Sequence, residues 1–422
     1  MDFLDLPSDV HWTIKNANVV ENGPDGQVIV NTREISFQNG FLTDQPSPVS
    51  IDAQKGLLLP LFVDMHTHLD KGHIWPRASN PDGTFFGALN TVAQDRTQRW
   101  KTKDVQARMN FALQCAYAHG TGAIRTHLDS KSPQHRISWP LFAEMRQEWQ
   151  GRIELQAVTI LGIEDVDRTT FLDIANLAAQ SGGILGCVSY PSDDIESRLR
   201  CFFEIARERE MHVDFHTDET HETASNTLEI IAKLVIDMGF EFPVNVGHCC
   251  AISQQDDETI DRTLDLVAKA GLSVVSLPMC NMYLQDRNRD RTPRWRGITL
   301  VHEMARRGIP VSFASDNTRD PFYAYGDLDM IEVLREATRI CHLDHSEFPW
   351  LNSFSKTPAE VCGFKDYNLA SGQSADFILF KARNLNELMS RPQMDRVVVR
   401  KGMQIDRTLP DYSELDYLTE VT

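Results

Sequence analysis

No stretch of this 422-residue chain approaches the roughly 18 consecutive apolar residues that a membrane span requires. Positive charge is also scarce: 42 Lys and Arg stand against 60 Asp and Glu, a formal net charge of −18, so a nucleic-acid backbone would meet a repelling field. The nearest basic tract, Arg287 to Arg296 (RNRDRTPRWR), is broken by Asn, Asp and Pro and reads as a solvated or lid loop. Eight cysteines (115, 187, 201, 249, 250, 280, 341 and 362) show no Cys-x-x-Cys spacing, which argues against a zinc ribbon or a disulfide framework. Their thiols are expected to be reduced and mostly buried. The start Met1-Asp2-Phe3-Leu4-Asp5 carries no basic leader region. A cytoplasmic protein with neither nucleic-acid nor membrane partners is the expectation.

What the chain does have is alternation. From Leu57 onward, short β-branched runs that end in a polar residue alternate with longer segments of helical period, the pattern of repeated βα units. Eight such runs end near His66 (LLLPLFVDMH), His127 (GAIRTH), Thr159 (IELQAVT), Tyr190 (ILGCVSY), His216 (HVDFH), His248 (PVNVGH), Ser276 (LSVVS) and Asp316 (PVSFASD). The 250 positions from His66 to Asp316 divide into seven intervals of about 36, the size of one βα unit. Helices are expected over Asp104 to His119, Arg198 to Glu210 and Asn226 to Met238. Trp12 to Val20, Gln27 to Val30 and Glu34 to Phe41 read as short strands with Asn-Gly and Pro-Asp-Gly turns, as do Asp376 to Phe380 and Arg396 to Val399. The fold class is therefore α/β: a (β/α)8 barrel over 57–372, beside a small β-sandwich built from 1–56 and 373–422.

The polar ends of these runs carry the chemistry. His66 and His68 close a buried run at spacing two, which puts both imidazoles on one side of the pleat, as metal ligands need; the lesser alternative for the pair alone is two satisfied strand-end histidines. His216, His248 and Asp316 end later runs, and in such a barrel all strand C-termini meet at one rim. Three neutral imidazoles and a carboxylate suit one divalent ion, Zn²⁺ or Fe²⁺, with a position left for water. Water held there ionises near pH ~7, so a metal-assisted hydrolase is expected. Glu219, three residues past His216, is the candidate general acid/base; the plain alternative is an acidic cap for a helix starting near Glu222, a part Asp218 or Thr220 could also play. His248 is left open between a fourth ligand and a polariser.

The chain resembles the amidohydrolase superfamily, and within it is similar to the cytosine deaminase family. The carriers are His66-Thr67-His68-Leu69-Asp70, Arg125-Thr126-His127-Leu128-Asp129, His216-Thr217-Asp218-Glu219, Gly247-His248, Asn281-Met282-Tyr283-Leu284-Gln285, Arg296-Gly297-Ile298-Thr299 and Asp316-Asn317 with Asp320-Pro321-Phe322-Tyr323. The resemblance implies that His66, His68, His216 and Asp316 bind one metal, that Glu219 shuttles a proton to a ring nitrogen, and that His248 orients the attacking hydroxide. It implies ammonia loss from an amino-bearing ring carbon, with Asp316 taking the proton of the water. Many superfamily members hold two metals through a carboxylated lysine ending strand four; here that strand ends Ser189-Tyr190-Pro191, so a single ion is expected. Lys71 is on the wrong strand for that part and is left open between a surface cation and one behind the ligands.

Three departures bear on substrate. Asn317 stands where the family has a second Asp, Ile160-Leu161-Gly162 replaces a Gln-bearing loop, and Phe322 replaces a Trp. A site built for one polar edge rejects analogues, so a substituted aminopyrimidine, a pterin or another amino-substituted N-heterocycle fits better than cytosine. Asn317, Phe322 and Gln285 are the expected substrate contacts. The rivals are a cyclic-amide or lactam hydrolase on the same scaffold, and a catalytically silent ligand-binding homologue. Family members often form homo-oligomers, so self-association stays open.

Overall fold

The computed structural model describes residues 3–22, 28–166, 169–365, 367–392 and 395–419. Its strands in chain order are β1 (His11–Asn22), β2 (Val28–Gln38), β3 (Phe41–Thr43), β4 (Ser50–Asp52), β5 (Leu57–Pro60), β6 (Phe62–Thr67), β7 (Thr121–Asp129), β8 (Glu154–Ile160), β9 (Leu185–Ser189), β10 (Val213–Thr217), β11 (Val244–His248), β12 (Ser273–Ser276), β13 (Val311–Phe313), β14 (Phe377–Phe380), β15 (Arg396–Arg400) and β16 (Met403–Gln404). The fold is mixed α/β. Strands β6 to β13 pair in parallel, each neighbour in chain order, as β6-β7-β8 and β9-β10-β11-β12-β13. Their side chains are buried on both faces along β6, β10, β11 and β12, the pattern of parallel strands covered by helices.

Hydrogen bonds join the two groups at both seams. Between β8 and β9, Thr159 N donates to Ile184 O at 3.0 Å, Ile184 N to Ala157 O at 2.9 Å and Val188 N to Leu161 O at 2.8 Å. Between β6 and the end of β13, Asp316 N donates to His66 O at 2.9 Å and Thr67 Oγ1 to Asp316 O at 2.8 Å. Ser315 adds backbone and hydroxyl donors to the Asp64 carboxylate.

The helices between these strands bury one face each. In Ile195–Glu208, Ile195, Leu199, Phe202 and Ala206 recur at three-and-four spacing and are buried. Asp256 caps Asp257–Ala270 by accepting from Thr259 N, and Gly271 ends that helix in the left-handed conformation at φ +68°.

The terminal segments share one sheet, ordered β16-β15-β14-β5-β1-β2-β3 with β4 on β1. Its apolar cluster is separate from the main core and holds Trp12, Ile14, Phe37, Phe377, Leu379, Val397 and Val399. The Phe37 ring stacks on Phe377 at 5.1 Å and meets Trp12 at 4.6 Å.

Four sequence expectations need correction. The run 57–66 is not one strand: β5 belongs to the terminal sheet and β6 to the parallel set, split at Leu61. Pro60 has no N–H to extend the ladder. The separate strands expected over 27–30 and 34–41 run together as β2, which ends at Gln38 with Phe41 opening β3, because polar cross-strand pairs carry its middle: Thr32 to Asn18 at 2.6 Å and Arg33 to Glu21. Gln27 and the Pro24-Asp25-Gly26 turn lie outside the described residues. The helix after His216 starts at Thr227 rather than near Glu222. The last parallel strand stops at Phe313, and Asp316 lies beyond it.

Candidate active site

Each parallel strand ends at the rim where the next loop begins, and that is where the polar residues gather. His66 and His68 follow from β6, His216 from β10, His248 from β11 and Asp316 from just past β13. All five are buried. His66 Nε2 lies 3.1 Å from His216 Nε2, His216 Nε2 lies 3.4 Å from His68 Nε2, and Asp316 Oδ1 lies 3.1 Å from His68 Nε2 and 3.7 Å from His66 Nε2. Gly247 makes the room: a Cβ there would come within 3.1 Å of His66 Cε1.

Lone pairs crowded this closely in a dry site need a cation or protons. Burial first, and then the neighbouring imidazoles, push His66 and His216 well below the usual histidine range. Protons are therefore disfavoured. Both Asp316 oxygens, His66 Nδ1, His216 Nδ1 and His248 Nε2 are buried without a regular hydrogen-bond partner. One ligand atom each from His66, His248 and Asp316 falls within 4.8 Å of the others, and the same holds for His66, His127 and His216. Neutral imidazoles with a carboxylate are the donor set of Zn²⁺ or Fe²⁺, so the residues fit a divalent ion.

Two backbone features aim these groups. His248 has φ +68° and Asp316 φ +62°, left-handed conformations rare for residues with a Cβ. Each turns the chain off its strand direction where its side chain is needed.

The carboxylates separate into opposite states. Burial, then Asp316, raise Glu219 well above the usual range, against the lowering influence of Lys71 and Asn281. Asp316 is also buried, but His68, His248 and Lys71 outweigh burial and hold it ionised. Asn281, on the helix Pro278–Leu284, lies 2.9 Å from His248 Nδ1 and donates to Glu219 Oε1 at 3.1 Å. An amide nitrogen only donates, so His248 Nδ1 accepts and its proton sits on Nε2.

The alternative part for Glu219 as a helix cap goes to its neighbour. Asp218 accepts from Ser225 Oγ at 2.7 Å, Thr227 N at 3.2 Å and Leu228 N at 2.9 Å, which leaves Glu219 free to face His248 at 3.3 Å.

The three expected substrate contacts are all buried near this group but differ in what they do. Asn317 donates to Cys280 Sγ at 3.3 Å and keeps Oδ1 unpartnered. Phe322 lies beneath the Lys71 ammonium, 4.4 Å from its ring centre. Gln285 spends its amide on the Glu219 backbone carbonyl at 3.2 Å.

Four residues without an assigned part belong to the same neighbourhood: His127, Lys71, Asn281 and Asp320. Lys71 is 6 % exposed and makes no hydrogen bond or ion pair among the described residues, and its charge bears on His68, Glu219 and Asp316. Asp320 uses Oδ1 on the Phe322 and Tyr323 amides and leaves Oδ2 unpartnered. The signal for His127 was present, since it ends a parallel strand as His66 and His216 do. Asn281 comes from a helix whose position no local pattern predicts.

The chain is also similar to known proteins. A family model described as "Amidohydrolase family" matches residues 123–409. The chain is 47% identical to a pterin deaminase of Rhizobium rhizogenes (strain K84), over 98% of each chain. It is 22% identical to an N-isopropylammelide isopropyl amidohydrolase of Pseudomonas sp. (strain ADP), over 89% of this chain and 92% of that one. A crystal structure of 5-methylcytosine deaminase from Klebsiella pneumoniae, liganded with 5-fluorocytosine, superposes with a TM-score of 0.80 at 25% identity, covering 94% of this chain and 98% of the other.

Proposed function

The chain belongs to the amidohydrolase family, and from that premise we propose that it is a metal-dependent hydrolase removing an exocyclic amino group, as ammonia, from a pterin-type N-heterocycle. The observation that carries the reading is the buried group of His66, His68, His216 and Asp316, drawn from three strand ends with its polar atoms left for an ion. The pterin deaminase relative at 47% identity supports the substrate class. When bound, a divalent ion there supplies Lewis acidity and water that ionises near pH ~7.

The protein's own groups complete the reaction. Asp316, held ionised, accepts a proton from the attacking water. Glu219, held neutral, protonates the ring nitrogen beside the amino-bearing carbon. His248 presents Nε2–H to the attacking oxygen, with its tautomer set by Asn281. A proton returned to the departing nitrogen releases ammonia and leaves an oxo group on the ring. Lys71 meets an acceptor oxygen of the substrate, Asn317 offers Oδ1 to a ring N–H, and Phe322 packs against the ring face. Gln285 acts by holding the Glu219 backbone.

The eight parallel strands are proposed to close into a (β/α)8 barrel, supported by the hydrogen bonds across both seams. The terminal segments 1–56 and 373–422 are proposed to form a small β-sandwich beside a catalytic unit of 57–372, and the pairing of β5 within the terminal sheet supports a division a few residues later, near Leu61. No helix among the described residues is long and apolar enough to cross a membrane. The buried, unbridged thiols of Cys115, Cys187, Cys249, Cys250, Cys280, Cys341 and Cys362 support a reducing, cytoplasmic setting.

The test is an ammonia-release screen of metal-reconstituted protein over pterins, aminopyrimidines, aminopurines and aminotriazines. Highest kcat/KM is expected on a pterin. Highest efficiency on cytosine would overturn the substrate reading, and ring opening without ammonia would favour the lactam hydrolase.

A further inference from the structure

The cation seat proposed above leaves one imidazole at its edge without a part. His127 lies two residues before the end of β7, is fully buried, and neither ring nitrogen has a hydrogen-bond partner among the described residues. Its ring centre lies 4.0 Å from that of His66, 4.6 Å from that of His216 and 5.6 Å from that of His68. A nitrogen of His127 comes within 4.8 Å of ligand nitrogens of both His66 and His216. Were the ring only a slab packed against His66, a phenyl group would serve without two desolvated nitrogens, each of which costs free energy when left unpaired.

We propose that His127 is an additional ligand of the same divalent ion, giving it an imidazole from the second parallel strand besides those of His66, His68 and His216. The proposal rests on the reading of that group as a cation seat. Its consequence is selectivity among ions. A further nitrogen donor strengthens binding of Zn²⁺ and Co²⁺, which take imidazole readily, more than that of Mn²⁺, which favours oxygen ligands. His73 offers an internal control: it too is buried with both nitrogens unpartnered, but its ring packs on Phe111 at 4.8 Å, away from the imidazole group.

The experiment measures affinities of the full-length apoprotein for Zn²⁺, Co²⁺ and Mn²⁺ by chelator competition, in the unmodified protein and in His127→Phe, His127→Gln and His73→Phe. His127→Phe keeps an aromatic face and removes the nitrogens. Zn²⁺ and Co²⁺ binding is expected to weaken about 10- to 100-fold in both His127 variants, with Mn²⁺ changing less and His73→Phe unchanged. The visible bands of the Co²⁺ form should shift in His127→Phe. X-ray absorption on the unmodified Co²⁺ protein should count four imidazoles, a readout that does not depend on any variant folding. Three imidazoles would overturn the proposal, as would unchanged affinities or equal losses for all three ions. If the unmodified protein bound no ion at all, the cation seat itself would fall, an outcome distinct from failure of His127 alone.

Discussion

Asn281 approaches His248 Nδ1 at 2.9 Å with the same amide nitrogen that donates to Glu219 at 3.1 Å. One side chain therefore fixes the tautomer of the proposed polariser and the position of the proposed proton shuttle. Asn281→Ala should lower kcat about 10- to 100-fold with little change in bound metal. Steady-state kinetics alongside metal analysis checks this; unchanged kcat would remove the positioning role.

Glu219→Gln should keep its metal and lose about 100- to 10,000-fold in kcat, the usual worth of a positioned proton donor. The pH profile carries the sign. Glu219 has a raised pKa and is needed protonated, so kcat/KM should fall as pH rises through that value. Asp316 is held low and is needed ionised, so its loss appears only in acid. The alkaline limb due to Glu219 should be missing from Glu219→Gln, and its persistence there would assign that limb to another group.

Lys71→Met should raise KM about 10-fold or more for substrates carrying a ring oxo group, the effect of losing a charged hydrogen bond. Analogues with the oxygen replaced by an amino group should respond less. Equal losses on both would mean that the ammonium acts on the site's own charges and not on the substrate.

His73 gives a stability prediction. Burial first, then Arg319 and Arg108, lower its pKa from 6.5 to about 3, with Asp327 opposing; Phe111 and Tyr412 are its ring neighbours. The folded state keeps the ring neutral while the unfolded chain protonates it below pH 6.5, so stability falls as pH falls from 6.5 toward 3. Between pH 6.5 and 5 the loss is about 2 kcal/mol. Urea midpoints of the parent should fall relative to those of His73→Phe as pH drops across that window, and a difference that stays constant would overturn the prediction.

Much of the rim was legible in the primary chain because strand-end residues follow buried β-branched runs, and period two decides which side they take. His66, His68, His216, His248 and Asp316 were all found that way, and the structure brings them within a few ångströms of one another. What local pattern could not reach was set by distant pairing. Leu57 to His66 reads as one apolar run, yet its halves join different sheets, since β14 pairs with Leu58 to Pro60 and β7 with Phe62 to Asp64. Asn281 and Lys71 gain their meaning from side chains about 60 and 150 positions away, Glu219 in both cases, across contacts that no spacing rule encodes.

The left-handed backbone at His248 and Asp316 implies that aim and endurance oppose each other at this rim. Glycine would relax both positions, where each L-residue gives up about 1 kcal/mol to its own chain direction. Metal-free His248→Gly and Asp316→Gly proteins should thus melt above metal-free His248→Ala and Asp316→Ala, which lose the same reactive groups but keep the Cβ that this backbone strains, while none of the four turns anything over.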